Sequence, residues 1–228
     1  MPSGPGLYGQ PFANRREGGA ELARRLTTYA GRADVIVLGL PRGGVPVAYE
    51  IAQALDVRLD IFIVRKLGLP GHRELAMGAI ASGGVRVLNE DVVRWARVSS
   101  QAIEEVTQEE LRELERRERE YRGERPPLEL TDRAVILVDD GLATGSTMKA
   151  AVKAIRQQRP AQIVVAAPVG ARESCAELET MADGVVCART PEPFSAVGLW
   201  YADFSETTDD EVRLLLREHA ASRLKNRQ

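Results

Sequence analysis

Two adjacent carboxylates, Asp139 and Asp140, end an apolar run, Ala134-Val135-Ile136-Leu137-Val138. They open a loop of small residues, Gly141-Leu142-Ala143-Thr144-Gly145-Ser146-Thr147. The run is rich in β-branched residues and reads as a buried strand. Met148, Val152 and Ile155 then recur at helical spacing. A strand, a small-residue loop and a helix N-terminus together form an anion cradle, where backbone N–H groups converge and the helix dipole favours negative charge. Thr144, Ser146 and Thr147 add hydroxyl donors, and Gly141 and Gly145 let the backbone come close to a phosphate. The carboxylates cannot bind that phosphate themselves. Their chemistry is to accept hydrogen bonds from sugar hydroxyls, or to hold water around Mg²⁺. The competing reading is a strand ending in an Asp-Asp-Gly turn, with Ser146 or Thr147 as a helix cap. A Walker-type phosphate loop is disfavoured, because its Gly-Lys-Ser/Thr ending is missing.

A second turn with little side-chain bulk, Gly39-Leu40-Pro41-Arg42-Gly43-Gly44-Val45-Pro46, also joins a strand to a helix. Its backbone N–H groups and the helix beginning near Val45 suit a second anion. The alternative is a plain glycine turn with Pro46 in the first helical turn. A third segment, Val64-Arg65-Lys66-Leu67-Gly68, carries two cations after a strand. Residues Leu67 to Gly84 make a long, glycine-rich stretch holding His72, Arg73 and Glu74. Loops of that length are lids, binding loops or disordered. No serine–histidine–carboxylate set or histidine metal cluster accompanies His72 or His219, and His219 near a helix end reads as structural.

The elements that must position these groups alternate. Helices are expected at 17–30, 45–55, 91–121, 146–158, 171–181 and 209–222. Strands are expected at 35–40, 59–64, 85–88, 134–139, 163–168 and 184–187, with 65–84 as a loop region. Thr208 and Glu211 have capping-box spacing. The N-terminal 15 residues, rich in Gly and Pro, read as irregular chain packing over the site. Strands alternating with helices imply a parallel sheet of βαβ units. Ligands then bind beyond the carboxyl ends of the strands, near the point where strand order reverses. The acidic motif and the loops after Leu40 and Val64 should meet on that edge. Helix 91–121 is heavily charged in its second half, with sparse apolar positions (Ile103, Val106, Leu111, Leu114). It reads as a solvated excursion with i,i+4 ion pairs, ahead of a dimer contact or an overhang on the site.

Bulk properties narrow the class. The chain has 228 residues, 44% of them hydrophobic and 28% charged, which suits one α/β domain with a full core. A net charge of −2 argues against a dedicated nucleic-acid binder. Cys175 and Cys187 are isolated in sequence and read as reduced, buried thiols of a cytoplasmic protein. No window approaches a membrane span, and Met1 to Gln10 lacks a charged-then-apolar leader pattern.

The stretch from Val135 to Thr147 closely resembles, without a gap, the signature of type I phosphoribosyltransferases, which binds 5-phosphoribosyl-1-pyrophosphate (PRPP). The set Pro-Arg-Gly-Gly, Arg-Lys-Leu-Gly and Val-Asp-Asp-Gly-Leu-Ala-Thr-Gly-Ser-Thr resembles, more particularly, a group of predicted bacterial members with unassigned substrate. The resemblance covers about Val35 to Cys187. It implies the type I phosphoribosyltransferase-like fold: a central, mostly parallel twisted sheet flanked by helices, with a small hood and a flexible loop. The whole of 1–228 is then one domain. Its core is about 17–187, with the charged helical insertion at about 90–122 and the hood with the C-terminal helix at about 188–228.

The resemblance also implies roles. Asp139 and Asp140 would contact the ribose 2′- and 3′-hydroxyls and, through water or those hydroxyls, Mg²⁺. Residues Gly141 to Thr147 would hold the 5′-phosphate. Pro41, Arg42, Gly43 and Gly44 would form the pyrophosphate loop, with Arg42–Gly43 as the candidate cis peptide. Lys66, with Arg65 as the weaker candidate, would meet the pyrophosphate. Arg73 and Glu74 would ride on the loop that closes over PRPP and keeps water from the ribosyl cation. Under the hood, Phe194, Trp200, Tyr201 and Phe204 would stack on a base, and Asp203 would accept from a ring N–H. The competing reading of these aromatics is a cluster that anchors the last helix.

The reaction implied is displacement of pyrophosphate from ribose C1′ by a nitrogen of a nucleobase or similar heterocycle, with Asp139, Asp140 and Lys66 as catalytic groups. Ala143 stands where 6-oxopurine enzymes carry an aspartate, and Leu-Ala-Thr-Gly is closer to adenine and orotate enzymes. Hypoxanthine and guanine are therefore disfavoured as acceptors. Any general base must come from elsewhere, Glu74 and Asp203 being the candidates. The alternative is a PRPP-sensing regulator or nucleic-acid-binding protein on the same scaffold, without turnover. A homodimer is the family-based expectation.

Overall fold

The computed structural model describes residues 9–225. The expectations for Met1 to Tyr8, including the absence of a leader pattern, lie outside the described residues. Five parallel strands form the main sheet: β1 (Val35–Gly39), β2 (Arg58–Ile61), β6 (Ala134–Val138), β7 (Gln162–Val169) and β8 (Gly184–Arg189). Their order across the sheet is β2-β1-β6-β7-β8. Helices α2 (Gly44–Leu55), α5 (Ser146–Gln157) and α6 (Arg172–Glu179) make the crossovers. Helices α1 (Arg15–Arg25) and α7 (Asp209–Lys225) pack beside α2.

The two central strands are buried along their whole length, which is why they read as continuous apolar runs rather than alternating ones. Alternate residues still serve opposite faces. Val35, Val37, Ala134 and Ile136 join the cluster under α1, α2 and α7, whereas Ile36, Leu38, Val135 and Leu137 join the cluster under α5 and α6. β1 sits in register with β6, Val35 opposite Ala134 and Gly39 opposite Val138. Chain order runs outward from β1 to β2 on one side and from β6 to β7 on the other, so the strand order reverses between β1 and β6.

The stretch expected as a loop is instead sheet. β3 (Val64–Leu69), β4 (His72–Ala81) and β5 (Val85–Leu88) form a separate antiparallel sheet. Pro70-Gly71 is its hairpin turn, with Gly71 at φ +79°. Proline then glycine at positive φ is a type II turn sequence. The glycines that looked like loop signals serve this turn and close strand contacts instead.

The expected helix at 91–121 breaks into α3 (Glu90–Trp95) and α4 (Ser100–Arg122). Arg97 takes φ +51°, and the Ser99 side chain caps α4 by accepting from the Ala102 N–H at 3.2 Å. Nor is α4 a solvated excursion. Ile103, Leu114 and Tyr121 enter the main core, over β3 and α7. Glu113 does pair with Arg116 and Arg117 along the exposed side. The end of α4 is tied down by Arg122, whose Nε lies 2.9 Å from Asp60 Oδ1, with both side chains buried. Arg122 also donates to the Pro126 carbonyl at 2.6 Å.

His219 is buried inside α7, with Nε2 at 2.9 Å from the Val57 carbonyl oxygen. Cys175 and Cys187, far apart in sequence, flank Gly170 from α6 and β8. Among the described residues no helix is long and apolar enough to cross a membrane.

Candidate functional site

The strand-order reversal brings two turns together at the carboxyl ends of β1 and β6. The Leu40 N–H donates to the Val138 carbonyl at 2.8 Å, which stitches the turn Leu40–Gly43 to the end of the acidic strand. Gly43 and Gly44 then lie flat against the carboxylates. A Cβ on Gly43 would stand 2.0 Å from Asp140 Oδ2, and one on Gly44 would stand 2.6 Å from the Val138 carbonyl oxygen and 3.0 Å from Asp139 Cα. Glycine is therefore a steric requirement of this contact. The cis peptide of the turn is Pro41–Arg42, one bond earlier than expected.

The small-residue loop ends at Gly145, which precedes α5 with φ +64° and ψ +9° and offers no side-chain cap. The first N–H groups of α5 have no intrahelical partner and carry the positive end of its dipole. Thr144 Oγ1 and Ser146 Oγ are 3.0 Å apart at that end. The base of the loop is pinned from below. Leu142 bridges Gly170, and Ser174 Oγ donates to the Ala143 carbonyl at 2.5 Å. Gly141 is covered by Val197, whose side chain lies 2.4 Å from where a Cβ would be.

Asp139 and Asp140 are part-buried neighbours. The Asp140 N–H donates to Asp139 Oδ1 at 2.9 Å. Burial, and then the charge of Asp140, hold the Asp139 carboxyl well above the usual carboxylate range. Burial also raises Asp140, opposed by its bond to Arg15. Arg15 Nε lies 2.8 Å from Asp140 Oδ2, with side-chain exposures of only 12% and 16%. Two carboxylates held this way gain from any donor or cation that approaches them.

The other expected site residues divide. Arg42 projects away from the acidic pair and binds Glu206, with Asp209 at 4.0 Å. Arg65 pairs with Glu110 of α4 at 2.5 Å. Lys66 meets Glu74 across the hairpin, at 3.3 Å from its carbonyl and 3.4 Å from its carboxylate. Arg73 reaches Glu109 of α4 at 3.8 Å. Lys66, Arg73 and Glu74 thus line a groove between the hairpin and α4.

In the hood, Tyr201 is buried and donates to the Asp140 carbonyl at 2.5 Å, so it is a support rather than a stacking face. Asp203 closes a local turn by accepting from the Ser205 N–H at 2.9 Å. Phe194 and Trp200 pack against the Phe12–Val169–Tyr201 cluster. Phe12 and Tyr201 form an isolated bridge, with the Phe12 N–H at 2.8 Å from the Trp200 carbonyl. The chain at Phe12 and Ala13 is therefore packed along residues 200–203.

Arg15, Val197, Ser174 and Glu206 escaped the sequence reading. A signal existed for Arg15: Asn14 and Glu17 have capping spacing, and Asn14 Oδ1 does accept from the Glu17 N–H at 3.1 Å. That spacing starts α1 at Arg15 and aims the residue at the strand ends.

A family model described as the phosphoribosyl transferase domain matches residues 13–198. The chain belongs to this family. It is 48% identical over 201 residues to a Mycobacterium tuberculosis (strain H37Rv) protein named "Putative phosphoribosyl transferase Rv0571c", and equally to its counterpart in strain CDC 1551. Those alignments cover 88% of this chain and 45% of each relative, so the chain spans about half the length of the curated relatives it matches. The crystal structure of TT1426 from Thermus thermophilus superposes with a TM-score of 0.81 at 41% identity, covering 92% of this chain and 99% of that one. The expected fold class, a parallel central sheet flanked by helices, stands.

Proposed function

We propose that the chain transfers the 5-phosphoribosyl group of PRPP to a nitrogen of a nucleobase or related heterocycle, releasing pyrophosphate. The observation that carries this reading is the junction of two helix-terminal turns through one acidic pair. The N-terminus of α5 offers a cradle for one phosphate, the backbone of the turn Pro41–Gly43 ahead of α2 faces the place of another, and Asp139 and Asp140 lie between them against Gly43 and Gly44. PRPP is a sugar with an anionic group at each end and two hydroxyls between.

In this arrangement the loop Gly141–Thr147 fixes the 5′-phosphate. Asp139 and Asp140 accept from the ribose hydroxyls and place negative charge beside the cation that develops at C1′. The N–H groups of Arg42 and Gly43 receive the pyrophosphate, that of Gly44 being taken by the Leu40 carbonyl at 3.0 Å. The contribution is positioning and electrostatics. Lys66 reaches the leaving group only by giving up Glu74, which its exposed pair permits at little cost.

The donor set also suits Mg²⁺. Among the described residues no three carboxylates, histidines or cysteines gather, whereas Mg²⁺ bound with a polyphosphate needs only one or two carboxylates and waters. Asp139 and Asp140 would hold it, and it would neutralise the charge of the leaving pyrophosphate.

Titration calorimetry with PRPP and Mg²⁺, followed by pyrophosphate–PRPP isotope exchange with a panel of bases, tests the reading. Binding with base-dependent exchange is expected. Binding without exchange for any base favours the ligand-sensing alternative, and no binding removes PRPP altogether.

A further inference from the structure

Arg15 closes a ring of contacts around Asp140. Its Nε holds Asp140 Oδ2 at 2.8 Å, and its Nη1 donates to the Ser205 carbonyl at 2.7 Å. Its guanidinium carbon lies 4.0 Å from the centre of the Phe204 ring. Phe204 stacks on Tyr201, with centroids 5.2 Å apart and planes 22° from parallel. The Tyr201 hydroxyl returns to the Asp140 carbonyl at 2.5 Å. The carboxylate and the backbone of one residue are thus gripped by two branches of a single cluster. The ion pair is mostly covered, unlike a surface pair such as Arg94–Asp91. The helix that bears Arg15 is anchored by Leu22, Ala23, Gly18 and Gly19, all buried, so the guanidinium is delivered by a rigid element. The site of the Asp140–Gly43 contact is also shared, since Arg15 Nε would lie 3.3 Å from a Cβ on Gly43.

We propose that Arg15 is a positioning residue of the PRPP site, fixing the Asp140 carboxylate toward the ribose hydroxyls and tying that carboxylate to the hood. This rests on the phosphoribosyl-transfer reading above. Arg15 acts through Asp140, so its influence falls on the ribose part of the ligand and not on pyrophosphate alone. A guanidinium that meets Asp140 with one nitrogen, Ser205 with another and Phe204 with its face is poorly replaced by an ammonium, which can meet Asp140 but cannot span Ser205 and Phe204 as well.

Calorimetric titrations with ribose 5-phosphate, metal-free pyrophosphate and Mg²⁺–PRPP test this on the full chain. The variants are Arg15→Gln, Arg15→Lys, Asp140→Asn and the Arg15→Gln/Asp140→Asn double. Arg15→Gln is expected to weaken ribose 5-phosphate and PRPP about ten-fold, the middle of the range for directly coupled residues, with pyrophosphate unchanged. Arg15→Lys should recover part of the loss. In the Asp140→Asn background Arg15→Gln should cost nothing further. Phe204→Leu, which removes the stacking platform and leaves the ion pair, should shift ribose 5-phosphate affinity in the same direction by less. It serves as the readout if Arg15→Gln does not fold.

Losses that simply add in the double variant overturn the proposal, as does a loss confined to pyrophosphate. Tighter ribose 5-phosphate binding by Arg15→Gln overturns it too, by showing that Arg15 competes for Asp140. Wild-type protein that binds no PRPP refutes the transfer reading and this proposal together. Wild-type binding that Arg15→Gln and Phe204→Leu leave unchanged refutes this proposal alone.

Discussion

Gly43 and Gly44 are adjacent, yet adding one methyl to each should have opposite signatures. Gly43 has φ −60° and ψ −31°, ordinary helical values, so alanine there meets no backbone penalty. The obstacles are side-chain atoms, Asp140 Oδ2 and Cγ at 2.0 and 2.7 Å from the new Cβ and Arg15 Nε at 3.3 Å, and side chains can rotate away. Rotation breaks the bond between Asp140 and Arg15. A hydrogen bond to a charged group is worth about 1.5–3 kcal/mol, or roughly 10- to 150-fold in an equilibrium that needs it. Gly44 faces the Val138 carbonyl and Asp139 Cα, which belong to the central strand and its end and cannot turn aside. Overpacking of that kind costs about 1–3 kcal/mol of stability, a fall in Tm of roughly 2–12 °C for a chain of this size. Gly43→Ala should therefore lose ribose 5-phosphate affinity outright, together with no more stability than the Arg15 bond supplies. Gly44→Ala should lose its melting temperature first. Differential scanning calorimetry and ribose 5-phosphate titration on the two variants decide it. A Gly43→Ala protein that melts below Gly44→Ala while keeping full affinity refutes the steric argument.

Asp139→Asn should stabilise the fold at neutral pH by ~0.5–2 kcal/mol, as removal of an unfavourable active-site charge commonly does, while weakening sugar-phosphate binding. The folded-state pKa of Asp139 is raised, so its ionisation opposes folding as pH rises above the unfolded value. Thermal melts at pH 5 and pH 8 should accordingly show the gain of Asp139→Asn mostly at the higher pH. Arg122→Ala leaves the buried Asp60 with only the partly exposed Arg58, at 3.5 Å, as charge partner and should cost about 3 kcal/mol in urea unfolding; a loss below about 1 kcal/mol would show that Arg58 or water takes over at Asp60. Burial holds the His219 pKa below its usual value, so the unfolded chain takes up that proton first. Stability supplied by neutral His219 is therefore present above about pH 6.5 and lost as pH falls below it. His219→Gln should flatten that part of the stability–pH curve, and an unchanged slope would assign it to another group.

The central strands and the acidic loop were legible because their signals are local. β-branched runs, a carboxylate pair and a small-residue turn need no partner to be recognised. The hairpin 64–81 was not, because Gly68, Gly71 and Gly78 signal a loop by composition, and only strand pairing shows that they serve a turn and close approach. The break between Trp95 and Ser100 was masked by the charged pattern on both sides. α4 hid its buried face because a few apolar residues among its 23 suffice where another sheet lies beneath. In the site, Asp139, Asp140, Gly43 and Gly44 converge as their motifs suggested. Arg42, Arg65 and Lys66 are cations that found carboxylates elsewhere, and sequence carries no record of that competition. The hood aromatics divide the same way: Tyr201 and Phe204 contribute support, which tertiary contacts alone could assign.

The bridge between Phe12 and Tyr201 couples two stretches nearly the whole chain apart. A graft of 191–206 alone from another member of this family would leave the donor's Tyr201 and Phe204 equivalents facing a foreign Phe12 and Arg15. A chimera that keeps the contacts around Asp140 must carry both stretches at once.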